Sequence, residues 1–77
     1  MTLAELLKGR RRVRFWTQTA LADQVGVSLN TVQRWEMGTS VPFQKQQQKL
    51  VEVLEIAPEE LLDAITATEA VRGKIAA

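Results

Sequence analysis

Apolar residues recur along the chain at intervals of three and four, which is the spacing of one face of an α-helix. The alternation typical of a β-strand never persists for more than a few residues, and the chain has only four Gly and two Pro. This pattern predicts an all-α fold, a single domain over residues 1–77 built as a compact bundle of about five short helices.

The first helix is predicted to begin after Thr2, because Thr2 and Glu5 have the spacing of a capping box. It should end near Arg14 or Phe15. Its apolar stripe is Leu3, Leu6, Leu7 and Val13.

Thr17 is a candidate N-cap for a second helix that runs to about Val25, and Gly26 can end that helix in the left-handed conformation. Ser28 then caps a third helix, which Gly38 ends. The inward positions of these two helices are Leu21, Ala22, Val25, Val32 and Trp35.

Pro42 suits the first turn of a fourth helix that runs to about Glu55, and Pro58 opens a fifth. Residues 68–77 leave two alternatives, a helix extended through Val71 and Ile75 or a frayed end. The apolar positions of these helices are Leu50, Val51, Val53, Leu54, Leu61, Leu62 and Ile65.

Residues 17–37 place two short helices on either side of Gly26-Val27, which predicts a helix-turn-helix. Gly26 supplies the positive φ that a tight turn needs, and Ala22 allows close packing. A recognition helix over about residues 28–37 would fit the DNA major groove. Its outward side chains are Leu29, Asn30, Gln33 and Arg34.

The chain has no Cys and no His, which excludes disulfides, common zinc sites and His-based catalysis. We therefore expect no metal, no cofactor and no enzymatic activity. No apolar run approaches the roughly 20 residues of a membrane span, and the basic run 10–12 follows the first apolar stretch, unlike a secretory signal. A cytoplasmic protein, in a bacterium or associated with a phage or bacterial nucleoid, is the expectation.

Net charge is only +1, but its distribution is uneven. Residues 1–38 carry +3 and residues 39–77 carry −2. The first half is either the side that faces a polyanion or a solvated arginine-rich helix.

From residue 6 to residue 62 the sequence resembles the lambdoid phage repressor/Cro-like, or Xre-type, helix-turn-helix regulators. The resemblance is carried by Thr17-Gln18, Leu21-Ala22, Gly26-Val27-Ser28, Thr31-Val32, Arg34-Trp35-Glu36, Gly38, Pro42, Leu50, Leu54 and Leu61-Leu62.

The resemblance implies roles for individual residues. Leu29, Asn30 and Arg34 match base-reading positions, and Gln33 lies beside them as a further candidate. Arg34 could instead contact only phosphate. Gln18, Thr19, Ser28, Thr31 and Lys45 are implied contacts to the DNA backbone, the alternatives being a solvated Gln18 and a Ser28 that serves only as a cap. The resemblance also implies that Arg11 and Glu36 form a structural ion pair.

Several positions depart from the family pattern. Phe15 and Glu55 stand where the family usually has Gly, and Phe15 with Trp16 could add to the core. The loop 39–41 lacks the usual basic residues. Gln44 and Gln47 stand where the family has apolar residues. Either Phe43 replaces the lost apolar side chains, or this surface faces DNA or a partner.

Together these features predict a sequence-specific double-stranded DNA-binding regulator, expected to be a repressor. It is expected to bind as a homodimer through Leu62, Ile65 and Val71, unless these residues only close the monomer core. The alternative function is an antitoxin-type or adaptor-type module that uses the same fold to bind a protein partner.

Overall fold

The structure, a computed structural model, describes the backbone of residues 1–76 and the side chains of residues 1–72. The side chain of Ile75, assigned above to a possible extension of the fifth helix, lies outside the described residues. The described chain is all-α, as predicted. Its helices are α1 (Leu3–Val13), α2 (Gln18–Val25), α3 (Leu29–Met37), α4 (Gln44–Leu54) and α5 (Pro58–Ala76).

The first three helices begin at the predicted caps. The side chains of Thr2, Thr17 and Ser28 each accept a hydrogen bond from a backbone N–H in the first turn that follows. The Glu5 carboxylate accepts from the Thr2 N–H at 2.9 Å, and this backbone hydrogen bond lowers the pKa of Glu5. These local contacts satisfy donors that helix starts otherwise leave unpaired.

The core is built around α1, which packs against both α3 and α5, while α2 packs against α3 and α4 and closes the other side. Trp35 of α3 is its largest fully buried side chain. Since α3 contributes Trp35 and Val32 to this core, only the opposite face of α3 is open to solvent. The other buried apolar residues are Leu3, Leu6, Leu7, Leu21, Ala22, Val25, Leu50, Leu54, Ile56, Leu61, Ala64 and Ile65.

Some apolar positions lie outside the core, contrary to prediction. Val13 and Leu62 are exposed, because Val13 is the last residue of α1 and Leu62 lies at the edge of the buried face of α5. Phe43 is also exposed, so it does not replace the apolar residues that Gln44 and Gln47 displace.

The fourth helix starts later than predicted. Pro42 is a buried loop residue that precedes Gln44, the first residue of α4, by two positions. The Gln46 side chain accepts from the Phe43 N–H at 3.1 Å, so an amide takes part in the cap at this start. At the other end, Glu55 is the C-cap and lies outside the helix.

Two residues other than Gly adopt the left-handed conformation that ends helices. Phe15 has φ 57° and Glu55 has φ 53°, in the same positive region as Gly38 (φ 78°) and Gly26 (φ 83°). The ring of Phe15 is 96% exposed, so the expectation that it adds to the core is wrong, whereas Trp16 packs partly against the core. The backbone thus follows the course a glycine would allow, at a steric cost of about 1–2 kcal/mol per residue.

Arg14 connects the strained ends of α1 and α4. Its Nη2 donates to the Leu54 carbonyl at 2.9 Å and to the Glu55 carboxylate at 3.0 Å. Its guanidinium also lies 5.8 Å from the centre of the Trp16 ring. Arg14 therefore satisfies a carbonyl at the C-terminus of α4 and favours the position of Glu55 in its unusual conformation.

The two ends of the fold meet at Thr68. The buried hydroxyl of Thr68 accepts from the Leu3 N–H at 2.8 Å and donates to the Ala64 carbonyl at 2.9 Å. Leu3 is the first residue of α1, so a side chain of α5 pairs one of its free N–H groups.

Among the described residues, no helix is long and apolar enough to cross a membrane.

Replacing Thr68 with Val should lower the free energy of unfolding by about 1–3 kcal/mol, because the buried Leu3 N–H loses its acceptor while side-chain shape is kept. Urea unfolding measures this. Thr68→Ser is the control: it keeps the hydroxyl and should retain most of the stability. Equal losses in the two variants would contradict this role for the hydroxyl.

Replacing Phe15 with Gly should raise the free energy of unfolding by about 1 kcal/mol. Relief of left-handed strain exceeds the added flexibility of glycine in the unfolded chain. Phe15→Ala removes the ring but keeps the strain, and should leave thermal and urea stability nearly unchanged. A destabilised Phe15→Gly variant would mean that the exposed ring makes stabilising contacts.

Candidate nucleic-acid interface

The turn between α2 and α3 is fixed by backbone geometry. Gly26 has φ 83°, and its N–H and that of Val27 both donate to the Ala22 carbonyl, at 2.8 and 3.0 Å. Only glycine takes this conformation without strain. The two helices therefore leave the turn at a defined angle, with Val27 packed against the core.

Ser28 and Thr31 are engaged with each other at the start of α3. The Ser28 hydroxyl accepts from the Thr31 N–H at 3.2 Å, and the two hydroxyl oxygens lie 3.0 Å apart. Ser28 is thus a helix cap. It is also exposed, so its oxygen remains accessible from outside.

The predicted base-reading residues lie together on the solvent side of α3. Leu29, Asn30 and Arg34 are exposed, and Gln33 is half-buried beside them. The inward face holds Val32, Trp35 and Glu36.

Met37 is a further residue of this outer face that the sequence analysis did not select. It is exposed and follows Asn30 by seven residues, about two helical turns, so it lies on the same side of α3. The helical spacing alone was the signal for it, and the Asn30–Met37 row extends the outer face to the end of the helix.

The structure brings Arg11 and Glu36 together in a bidentate ion pair. Arg11 Nε donates to Glu36 Oε2 and Arg11 Nη2 donates to Oε1, both at 2.9 Å. The side chain of Glu36 is 1% exposed and that of Arg11 is 13% exposed. The hydrogen bonds that Arg11 donates to Glu36 raise the pKa of the Arg11 guanidinium above its usual value.

Gln18 joins this ion pair, a contact that sequence reasoning missed. Its Nε2 donates to Glu36 Oε1 at 3.1 Å. Gln18 is the first residue of α2, and Glu36 is close to the end of α3. Their separation of 18 positions gives no periodic signal that could have indicated the contact.

The first turn of α2 also presents backbone donors. Ala20 N–H is bound to the Thr17 side chain and Leu21 N–H to the Thr17 carbonyl. No acceptor within the described residues pairs with the N–H groups of Gln18 and Thr19. This helix end therefore offers hydrogen-bond donors together with the positive end of its dipole.

Most of the arginine run is used inside the molecule. Arg10 is bound to Glu60, Arg11 to Glu36 and Arg14 to Glu55. Arg12 is exposed and makes no ion pair with any described residue. The net charge of the first half thus overstates the positive charge that is free to meet a polyanion. Lys45, the remaining predicted backbone contact, is exposed in the first turn of α4.

Comparison with known proteins identifies the same motif. The model of the helix-turn-helix domain family matches residues 2–65. A curated relative, the cryptic phage CTXphi transcriptional repressor RstR of Vibrio cholerae serotype O1, strain ATCC 39315 / El Tor Inaba N16961, is 33% identical over 61 residues. The aligned region covers 79% of this chain and 54% of RstR, so the chain spans about half the length of that relative. No solved structure matches the chain at a comparable level of significance.

Replacing Glu36 with Ala should lower the free energy of unfolding by about 3–5 kcal/mol, because it strands the charge of Arg11 in a largely buried position. Glu60→Ala is the matched control. It removes the partner of Arg10 in an ion pair whose side chains are 40% and 39% exposed, and it should cost at most about 1 kcal/mol. An unchanged melting temperature for Glu36→Ala would show that the buried pair contributes nothing to stability.

Proposed function

The chain belongs to the Xre/lambda-repressor-like helix-turn-helix family of DNA-binding transcription regulators, and we propose that it represses transcription by binding a specific site in double-stranded DNA. In this proposal α3 lies in the major groove with its N-terminal turn at the base edges. The observation that carries it is the division of α3 into a buried face anchored by Trp35 and an open polar face that includes Asn30 and Arg34. The name of the relative, a transcriptional repressor, supports the direction of regulation.

The first turn of α2 is suited to bind a DNA phosphate. The unpaired N–H groups of Gln18 and Thr19 meet the positive end of a helix dipole there, a combination that favours anions. Ser28 and Thr31 at the start of α3, and Lys45 at the start of α4, are the other proposed backbone contacts. Such contacts fix the register of the protein and leave sequence readout to the open face of α3.

Each side chain of the open face has its own way of recognising a base. Asn30 can bond N6 and N7 of adenine together, and Arg34 can bond O6 and N7 of guanine. Leu29 can only pack, most usefully against a thymine methyl group. We therefore expect A·T pairs opposite Leu29 and Asn30, a G·C pair opposite Arg34, and a secondary contribution from Gln33.

Selection of bound sequences from a random pool of duplex DNA, followed by binding at several salt concentrations, tests the function. The expected result is a short enriched sequence whose affinity falls steeply as salt rises. The absence of any enriched sequence, together with weak binding that ignores sequence, would overturn the proposal and favour the antitoxin-type or adaptor-type function. A regulator acts where its operator lies, so the proposed function implies a location in the bacterial cytoplasm, in association with a bacterial or phage nucleoid.

We further propose that the protein binds its operator as a homodimer. Leu62, Ile65 and Val71 cannot, however, all belong to one dimer contact. Ile65 is buried, whereas Leu62 and Val71 are 53% and 48% exposed. Leu62 and Val71 are nine residues apart in α5, about two and a half turns, so they lie on opposite sides of the helix. One contact between two copies can therefore use only one of them.

The side that carries Leu62 is the better candidate. Leu62 borders an uncharged groove between α4 and α5 of about 380 Å³, with an apolar floor and amide groups at its edge. Amides both donate and accept hydrogen bonds, so the same surface can pair with itself across a two-fold axis. The lining residues are Gln44, Gln47, Gln48, Val51, Pro58, Leu61 and Leu62.

Replacing Asn30 with Ala should remove the preference for one adenine in the selected sequence. A base-reading Arg34 would lose about 1–3 kcal/mol of binding free energy on change to Ala and relax one position. An Arg34 that binds only phosphate would instead weaken all sequences alike and lower the salt slope by about one unit. An Asn30→Ala variant that keeps the full wild-type base preference would contradict the proposed orientation of α3.

Replacing Leu62 with Glu should abolish cooperative binding to two half-sites, which we expect about 10 base pairs apart on one face of the duplex. Val71→Glu, a matched change on the opposite side of α5, should leave it intact. Footprinting and sedimentation of the DNA complexes measure both. The reverse result would assign the contact to the Val71 side, and binding of one protomer to a single half-site would argue against a dimer.

A further inference from the structure

We propose that the buried Arg11–Glu36 pair is a positioning device for DNA contact and acts through the side-chain amide of Gln18. The inference rests on the proposed function, since the contact it prepares is the one between α2 and a DNA phosphate. Glu36 is buried and cannot touch DNA, but in this proposal it affects DNA affinity as well as the stability of the fold.

The geometry at Glu36 fixes which end of the Gln18 amide faces inward. Glu36 Oε1 accepts from Arg11 Nη2 at 2.9 Å and from Gln18 Nε2 at 3.1 Å, and Oε2 accepts from Arg11 Nε at 2.9 Å. A carboxylate paired with arginine is ionised and can only accept hydrogen bonds. The inward group of Gln18 must therefore be its NH₂, which keeps one N–H for an outside acceptor.

That second N–H is held at the same helix end as the backbone donors. Gln18 is the first residue of α2, and its own N–H and that of Thr19 are unpaired within the described residues. A phosphate at this end would meet both backbone donors and an amide whose orientation is already set. Because the orientation is set, less conformational entropy is lost on binding.

Arg11 also fixes the segment that leads into α2. Its Nη1 donates to the Trp16 carbonyl at 3.0 Å, and the Trp16 N–H donates to the Arg11 carbonyl at 3.1 Å. The same ion pair thus determines where the backbone of α2 begins and how the Gln18 side chain points.

Stability alone does not require charged residues at these positions. A buried ion pair can often be replaced by apolar residues of similar volume without loss of stability. An apolar pair, however, offers no acceptor for Gln18. The double variant Arg11→Met/Glu36→Leu therefore separates the two roles: it can keep the fold while it releases the amide.

The experiment compares four proteins, the wild type, Gln18→Ala, the double variant and the triple variant that combines them, on the DNA sequence selected by the wild type. Circular dichroism and urea unfolding first establish that each is folded at the assay temperature. Affinity is then measured on duplexes that carry one uncharged methylphosphonate at each backbone position in turn.

We expect wild-type binding to weaken when the phosphate at the start of α2 is replaced by methylphosphonate. Gln18→Ala and the double variant should lose part of this sensitivity, because the backbone donors of Gln18 and Thr19 remain. The double variant should bind roughly two- to tenfold more weakly, because a released Gln18 amide must lose its conformational freedom to reach the phosphate and this cost cancels the gain from the contact. Adding Gln18→Ala to it should weaken binding no further.

A folded double variant that keeps the wild-type methylphosphonate profile would overturn the inference, and so would a Gln18→Ala variant that binds like the wild type. Neither result would affect the proposed function, which fails only if the wild type selects no DNA sequence.

A measurement on the unmodified protein covers the case in which the double variant does not fold. The ¹⁵N order parameter of the Gln18 side-chain amide should be high in the absence of DNA, while that of Gln24, which is exposed on the same helix, should be low. Equal mobility of the two amides would overturn the inference.

Discussion

One buried carboxylate sets the positions of α1, α2 and α3 relative to one another. Glu36 is 3% exposed, and an ion at that depth is tolerated only when it is paired and fully hydrogen-bonded. Its partners come from the end of α1 and the start of α2, so both must reach α3 at one place. Trp35, which immediately precedes Glu36, is buried in the core and fixes the rotation of α3 about its own axis. The direction in which the outer face of α3 points is therefore a consequence of the contacts that its inner face must make.

Much of this fold could be predicted because its signals are local. The caps at Thr2, Thr17 and Ser28 depend on residues only three positions away, and the turn at Gly26 on the conformational freedom of one residue. Helical periodicity separated the buried Val32 and Trp35 from the open face of α3 in the same way. The same separation identified the open face of α3 as the candidate site. Which of its residues contact bases or phosphates stays a prediction.

The remainder depended on contacts between distant residues, or on strain that the surrounding structure imposes. No local pattern shows that Phe15 accepts a left-handed conformation with its ring in solvent; an aromatic pair at 15–16 looked like additional core. The contact between Gln18 and Glu36 has no periodic signature either. At α5, the spacing of Leu62 relative to Leu61 and Ile65 could have shown that it lies at the edge of the buried face.

The hydrogen bond from the Leu3 N–H to Thr68 spans 65 positions, so its two partners are synthesised at different times. The first helix leaves the ribosome before α5, yet the Leu3 N–H can bind its acceptor only when α5 has emerged. Until then α1 lacks both that hydrogen bond and the apolar surface of α5 on which it packs. The contacts that complete α1 therefore form only after α5 has been synthesised.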